Sequence, residues 1–221
     1  MDRCLQTQTH KKALLILPVL LVPSMAMVFT VAGNGLGTSL GYLLGFVIYW
    51  VLWCWMIPWV ILGTSEFASL IKDREPLFTR SNWLAASLWL FITVVAFLMY
   101  GQSFLQARLV LILMAIPIAI ANGLSEELFW RGLFVRAFPK NFWLGCIYPA
   151  VGFALWHFVP QILLPAENRV GFVISTLFLG LANGWIAFRT GSAKWTAISH
   201  SLNGVIALAA PLAQIIISLM I

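Results

Sequence analysis

Apolar residues run through this chain in blocks of about twenty, and the polar residues collect in the gaps between them. The blocks are Ala13 to Val31, about Gly41 to Leu62, Trp83 to Tyr100, Leu109 to a stop by Pro139, a stretch within Phe142 to Pro165, about Val170 to Phe188, and Trp195 to Ile221. Helices of that length reach across a hydrocarbon core of roughly 30 Å, so the pattern predicts an all-α, polytopic transmembrane bundle of about seven spans. Pro18 and Pro23 are expected to kink the first span and Pro211 to bend the last. Gly33-Asn34-Gly35-Leu36-Gly37 reads as a turn between spans one and two; a phosphate loop would need a strand before it and a Lys after it. The opening segment ends in His10-Lys11-Lys12 and then turns apolar, as a signal peptide does. The run is long for one and lacks a small-residue cleavage site, so it is read as a membrane helix. No repeat appears, and residues 1–221 read as a single integral-membrane domain.

Composition agrees: 62% of the 221 residues are hydrophobic and 9% charged, too few charges for the surface of a soluble domain. The net charge of +6 does not point to nucleic acid, because the basic residues sit in short inter-helix gaps and form no basic face. Their distribution carries topology instead. With the N-terminus in the cytoplasm, Arg3, Lys11, Lys12, Lys72, Arg74, Arg80, Arg136, Lys140, Arg189 and Lys194 fall on the cytoplasmic side, against Arg108 and Arg169 opposite. That bias predicts a multi-pass cell-membrane protein with a cytoplasmic N-terminus, in which residues 64–82 form a cytoplasmic elbow. Cys4, Cys54 and Cys146 are widely spaced and read as small apolar residues. Trp50, Trp53, Trp55 and Trp59 read as an interfacial belt and helix packing.

Against this background the polar groups inside apolar sequence stand out. Ser125-Glu126-Glu127-Leu128-Phe129-Trp130-Arg131 follows directly on the apolar run Leu109 to Ala121. A charge at the centre of a membrane helix costs about 2.5 to 3.5 kcal/mol on the insertion scale, so three of them need a partner or a function. Glu127 and Arg131 are four apart, acid first, the favourable order for a pair on one helical face. Glu126 points about 100° away and is left without an Arg of its own, available as a general base. His157 lies one turn beyond Phe153, and His200 shares a helical face with Asn203. Together Glu126, His157, His200 and Asn203 supply what amide hydrolysis needs: groups to activate water, and donors for an oxyanion. Glu126, His157 and His200 could equally hold zinc with an open fourth position, although the His-Glu-x-x-His pattern is absent.

These ordered motifs resemble the CAAX protease and bacteriocin-processing family, the type II CAAX prenyl endopeptidases. The likeness rests on Glu126-Glu127-x-x-x-Arg131, on Phe153-x-x-x-His157, and on His200 near the start of the last span. Phe178-Leu179-Gly180-Leu181-Ala182-Asn183-Gly184 and Arg189-Thr190-Gly191-Ser192 extend it. It covers roughly residues 110 to 205 and sets a protease-like core at about 108–221. The resemblance implies an intramembrane endopeptidase of glutamate or metallo type, with Glu126 as catalytic acid/base, His157 beside it on the water, and His200 on the oxyanion. It also implies a peptide or lipidated-protein substrate met in membrane lipid. No metal is expected to be obligatory, with zinc the one that fits if any does.

The chain departs from the family in one place. The usual Asn four residues after the last His is replaced by Gly204, with the amide one position earlier at Asn203. Asn203 is expected to serve only if the helix tightens there. Depth sets a second condition, because His157 lies about 22 Å from Phe142 along a helix and His200 only about 8 Å from Trp195. For the two to meet, the crossing is expected to begin near Pro149, with Phe142 to Tyr148 along the interface. Two other functions use the same residue types: a proton- or ion-coupled transporter, and an immunity or binding protein without turnover. A transporter often shows mirrored halves, whereas here the intramembrane charges all fall in the second half.

Overall fold

The computed structural model describes residues 8–209 and 211–220, except the side chains of residues 8–12. Expectations for Arg3, Cys4 and the side chains of His10, Lys11 and Lys12 lie outside the described residues. Among the described residues the chain is all-helical, without strands. Among the described residues, five helical segments are long and apolar enough to cross a membrane: Ala13–Leu62, Arg80–Leu105, Leu109–Ala137, Trp143–Ile162 and Arg169–Thr190. The protein is a multi-pass membrane protein, and the expected spans account for all five segments.

The first segment contains two of the expected spans. Helix α1 (Gln8–Ile48) leaves helical geometry at Gly37, with φ 80° and ψ 169°, a region that side chains other than glycine rarely adopt. The two arms then pack side by side, so closely that a Cβ on Gly41 would lie 2.7 Å from the Gly33 Cα. Pro18 and Pro23 stay within α1, where Gly37 is the position at which the backbone leaves helical geometry. The second arm runs through π-wound turns (Tyr49–Met56) into α2 (Ile57–Leu62).

The elbow carries α3 (Thr64–Ala68) and leads to α4 (Trp83–Leu105). Helix α5 (Leu109–Glu127) passes through π-wound turns (Leu128–Leu133) into α6 (Phe134–Ala137). A third π-wound segment (Trp143–Ile147) leads into α7 (Tyr148–Trp156). Helix α8 (Arg169–Thr190) is capped by Asn168, whose side chain accepts from the Gly171 N–H, and ends at Gly191 in the left-handed region.

The expected seventh span is two short helices, α9 (Lys194–Ile206, 13 residues) and α10 (Leu212–Met220, 9 residues), and neither crosses the bilayer alone. The break falls at Leu208 and Ala209, both with positive φ, just before the bend expected at Pro211.

Ion pairs sort the loops by side. Glu66 pairs with Arg136, Asp73 with Lys194, and Arg189 donates to Asn82 Oδ1 and to the Ser81 carbonyl. The elbow therefore lies with the loops around 136–140 and 189–194. On the other side, the Leu163 side chain packs against Gly33 in the first turn.

Candidate active site

Helix α9 brings the separated motifs together, because it starts deep. Ala193 packs its Cβ against Gly132 in the π-wound turns after α5, and its N–H reaches the carbonyl of Leu70, a buried residue of the elbow. Asp73 holds the beginning of α9 through Ser192 Oγ (2.8 Å), Lys194 Nζ (3.1 Å) and Trp195 Nε1 (2.9 Å). From this start His200 reaches the level of Glu126, Glu127 and Phe153. The shift expected in residues 142–148 is not what solves the depth problem. Those residues are helical and lead straight into α7, packing on α8 through Phe142–Phe188 and Cys146–Gly184.

Glu126, Glu127 and Arg131 are all buried, at 2%, 0% and 1% exposure. As expected from their spacing, Glu127 Oε1 pairs with Arg131 at 2.8 Å. The same oxygen receives His200 Nδ1 at 2.9 Å. A carboxylate only accepts, so Nδ1 carries the proton and Glu127 fixes the orientation of the His200 ring. The Arg131 guanidinium sits 4.1 Å over the Phe153 ring, which holds the cation by cation–π attraction where no second carboxylate is needed.

Glu126 faces elsewhere. Its Oε1 accepts from Trp156 Nε1 at 3.0 Å, and its Oε2 accepts from Asn122 Nδ2 at 3.3 Å and lies 3.5 Å from His200 Nε2. Trp156 is itself stacked on Tyr49, with ring centroids 3.8 Å apart, and the Tyr49 hydroxyl accepts from Trp130. His157 follows the last residue of α7, with Nδ1 2.7 Å from the Phe153 carbonyl. Because that carbonyl is also acceptor-only, the Nδ1 proton is used there, and in the neutral ring Nε2 keeps its lone pair.

A cavity of about 1050 Å³ joins these groups, lined by Glu126, His157, His200 and Asn203 alike. Its remaining walls are largely apolar, with faces of α4 around Phe91 and Val95 and of α8 around Phe172 and Leu179. Glu127 and Arg131 do not line it. Helix α9 is α-helical from Lys194 to Ile206, so Asn203 reaches the cavity lining without a tightened turn. Among the described residues, no three His, Cys, Asp or Glu side chains are grouped to hold a metal ion. Both nitrogens of His200 face carboxylates instead.

Asn122, Trp156 and Tyr49 had not been expected in the site. Asn122 stands one helical turn before Glu126, and a polar residue ending an apolar run was the available signal. The tryptophans of the second arm were read as belt and packing, but two of them bond polar groups of α5. Trp50 donates to Asn122 Oδ1 at 3.0 Å and Trp55 to Ser125 Oγ at 2.8 Å. Residues five apart diverge on an α-helix, whereas π winding returns them to one side.

Residues 107–206 match the model of a protein family, the type II CAAX prenyl endopeptidases described as Rce1-like. No curated protein and no solved structure matches the chain.

Proposed function

We propose that the protein, whose residues 107–206 match the model of the Rce1-like type II CAAX prenyl endopeptidases, is an intramembrane endopeptidase that hydrolyses a peptide bond next to a lipid anchor. The observation that carries this reading is that Glu126, His157, His200 and Asn203 line one cavity, although they come from three separate parts of the chain. The apolar walls from α4 and α8 suit a peptide or lipidated protein entering from membrane lipid.

In this mechanism Glu126 and His157 hold a water against the scissile carbonyl carbon. Glu126 takes a proton from the water as the water oxygen attacks, and the carbonyl oxygen becomes an oxyanion that accepts from Asn203 and from Nε2–H of His200, whose ring, held between the Glu126 and Glu127 carboxylates, carries both protons. As the C–N bond breaks, Glu126 returns the proton to the leaving nitrogen, giving a carboxylate and an amine. Glu127 and Arg131 stay outside the reaction and keep His200 in place. The proposal routes no step through a metal, and it sets the N-terminus in the cytoplasm, with the elbow on the same side.

The test is purified protein in lipid nanodiscs against a panel of fluorogenic lipidated peptides. The wild type should release fluorophore and Glu126→Gln, equally well folded, should not. Cleavage by Glu126→Gln at the wild-type rate would sink the proposal.

A further inference from the structure

Both oxygens of Glu126 are engaged by donors that lie outside the motif residues. On Oε1 the donor is Trp156, stacked on Tyr49; on Oε2 it is Asn122. An amide can present either its oxygen or its nitrogen to a neighbour, so something must decide which end of Asn122 meets the carboxylate. Trp50 decides it. An indole N–H only donates, so Asn122 must turn its oxygen toward Trp50, which leaves its NH₂ aimed at Glu126. Were the amide reversed, two donors would meet at Trp50 and two acceptors at Glu126.

The relay crosses between two parts of the protein. Asn122 stands on α5 four residues before Glu126, and Trp50 comes from the π-wound end of the first hairpin, outside residues 107–206. The π winding that sets Trp50 on Asn122 also sets Trp55 on Ser125, so the hairpin is attached to α5 at two points in the turn just before the base.

We propose that Asn122 and Trp50 are positioning residues for the catalytic carboxylate: Asn122 holds Glu126 Oε2 toward the cavity, and Trp50 sets the polarity of Asn122. This inference rests on the endopeptidase reading of Glu126. A carboxylate that must meet a water and then a leaving nitrogen loses rate when its orientation is released, by about 100-fold for a displacement near 1 Å. Asn122 lines the cavity but acts through Glu126, so its loss affects turnover more than substrate capture.

The experiment uses full-length protein in nanodiscs and the lipidated peptide that the wild type cleaves fastest. Asn122→Leu, which keeps the bulk and removes the amide, should lower kcat by about 10- to 100-fold with KM changed less than about twofold. Trp50→Phe, which keeps a ring and removes the donor, should lower it by about 3- to 10-fold. Because Trp50 acts through Asn122, adding Trp50→Phe to Asn122→Leu should cost less than about a further twofold.

Infrared difference spectra between each background and its Glu126→Gln counterpart isolate the Glu126 carboxylate band without turnover. That band should shift in Asn122→Leu and in Trp50→Phe. A band unmoved in both variants overturns the inference whatever the rates do, as do fully additive losses in kcat. If the band shifts while Glu126→Gln still cleaves peptide, the positioning stands and the endopeptidase reading of Glu126 falls.

Discussion

Removing the charge of Glu127 separates the two glutamates most sharply. Glu127 is fully buried, and its Oε1 serves both Arg131 at 2.8 Å and His200 at 2.9 Å. In Glu127→Gln the side-chain oxygen can still accept both bonds, but Arg131, 1% exposed, is left without a counter-charge. Stranding one partner of a buried pair costs about 3 to 5 kcal/mol. Here Arg131 keeps the Phe153 ring at 4.1 Å and the Gly180 carbonyl at 3.5 Å, so the lower end, about 3 kcal/mol, applies.

For a chain of this length that corresponds to a melting temperature lowered by about 6 to 12 °C. Thermal denaturation of purified protein in detergent, followed by tryptophan fluorescence, reads it directly. Glu126→Gln should melt close to the wild type while losing cleavage. Replacing both partners, as Glu127→Gln with Arg131→Met, should recover at least half of the lost stability, because no charge is then left buried alone. A Glu127→Gln protein melting within about 2 °C of the wild type would refute the reasoning.

Four further outcomes follow. His200→Ala and Asn203→Ala should each lose at least about 100-fold in kcat with the fold intact, checked by peptide cleavage and gel filtration; near-normal turnover in Asn203→Ala would remove it from the oxyanion site. Adding Gly204→Asn to Asn203→Ala should not restore activity, because a Cβ at 204 meets the Ala119 Cβ at 3.0 Å. Reporter fusions after Ser81, Lys140 and Lys194 should give cytoplasmic signals, and fusions after Gly35, Gln102 and Asn168 signals from the other side, with an external signal at Lys140 reversing the topology. Dialysis against a chelator should leave the wild-type rate unchanged, whereas one zinc per chain lost together with activity in His157→Ala would require a metal mechanism.

The spans were legible because lipid demands long apolar runs, and the Gly33 to Gly37 turn because a chain that reverses there needs glycine freedom, which Gly37 uses. The Glu127–Arg131 pair was legible because i, i+4 spacing is a local property of a helix. What stayed hidden depends on contacts between distant segments. Leu208 and Ala209 break the last span with positive φ in residues that carry no turn signal. Trp50 and Trp55 looked like belt residues because their common direction arises from π winding, which a periodicity of 3.6 misses. The depth of α9 was set by the elbow, whose Asp73 and Leu70 bind its beginning, and a polar loop gives no sign of being folded inward.

The displaced amide of the last motif has its explanation in the α5–α9 contact. A Cβ on Gly123 would lie 2.6 Å from Ser201 Oγ and 2.7 Å from the Ser201 backbone nitrogen, so the two helices touch almost backbone to backbone. One turn away the same closeness puts Gly204 against Ala119. In lipid, where apolar side chains gain little by leaving their surroundings, such small-residue seams are what hold helices together. This one also brings His200 within 2.9 Å of Glu127. An Asn at position 204 would crowd Ala119, which would have to give by a few tenths of an ångström in the seam next to the bond that orients His200. Asn203 lies off the tightest part of the seam, still lines the cavity, and reaches Ser199 Oγ at 3.4 Å. The close approach that builds one half of the site thus favours glycine at position 204, while Asn203, one residue earlier, lines the cavity.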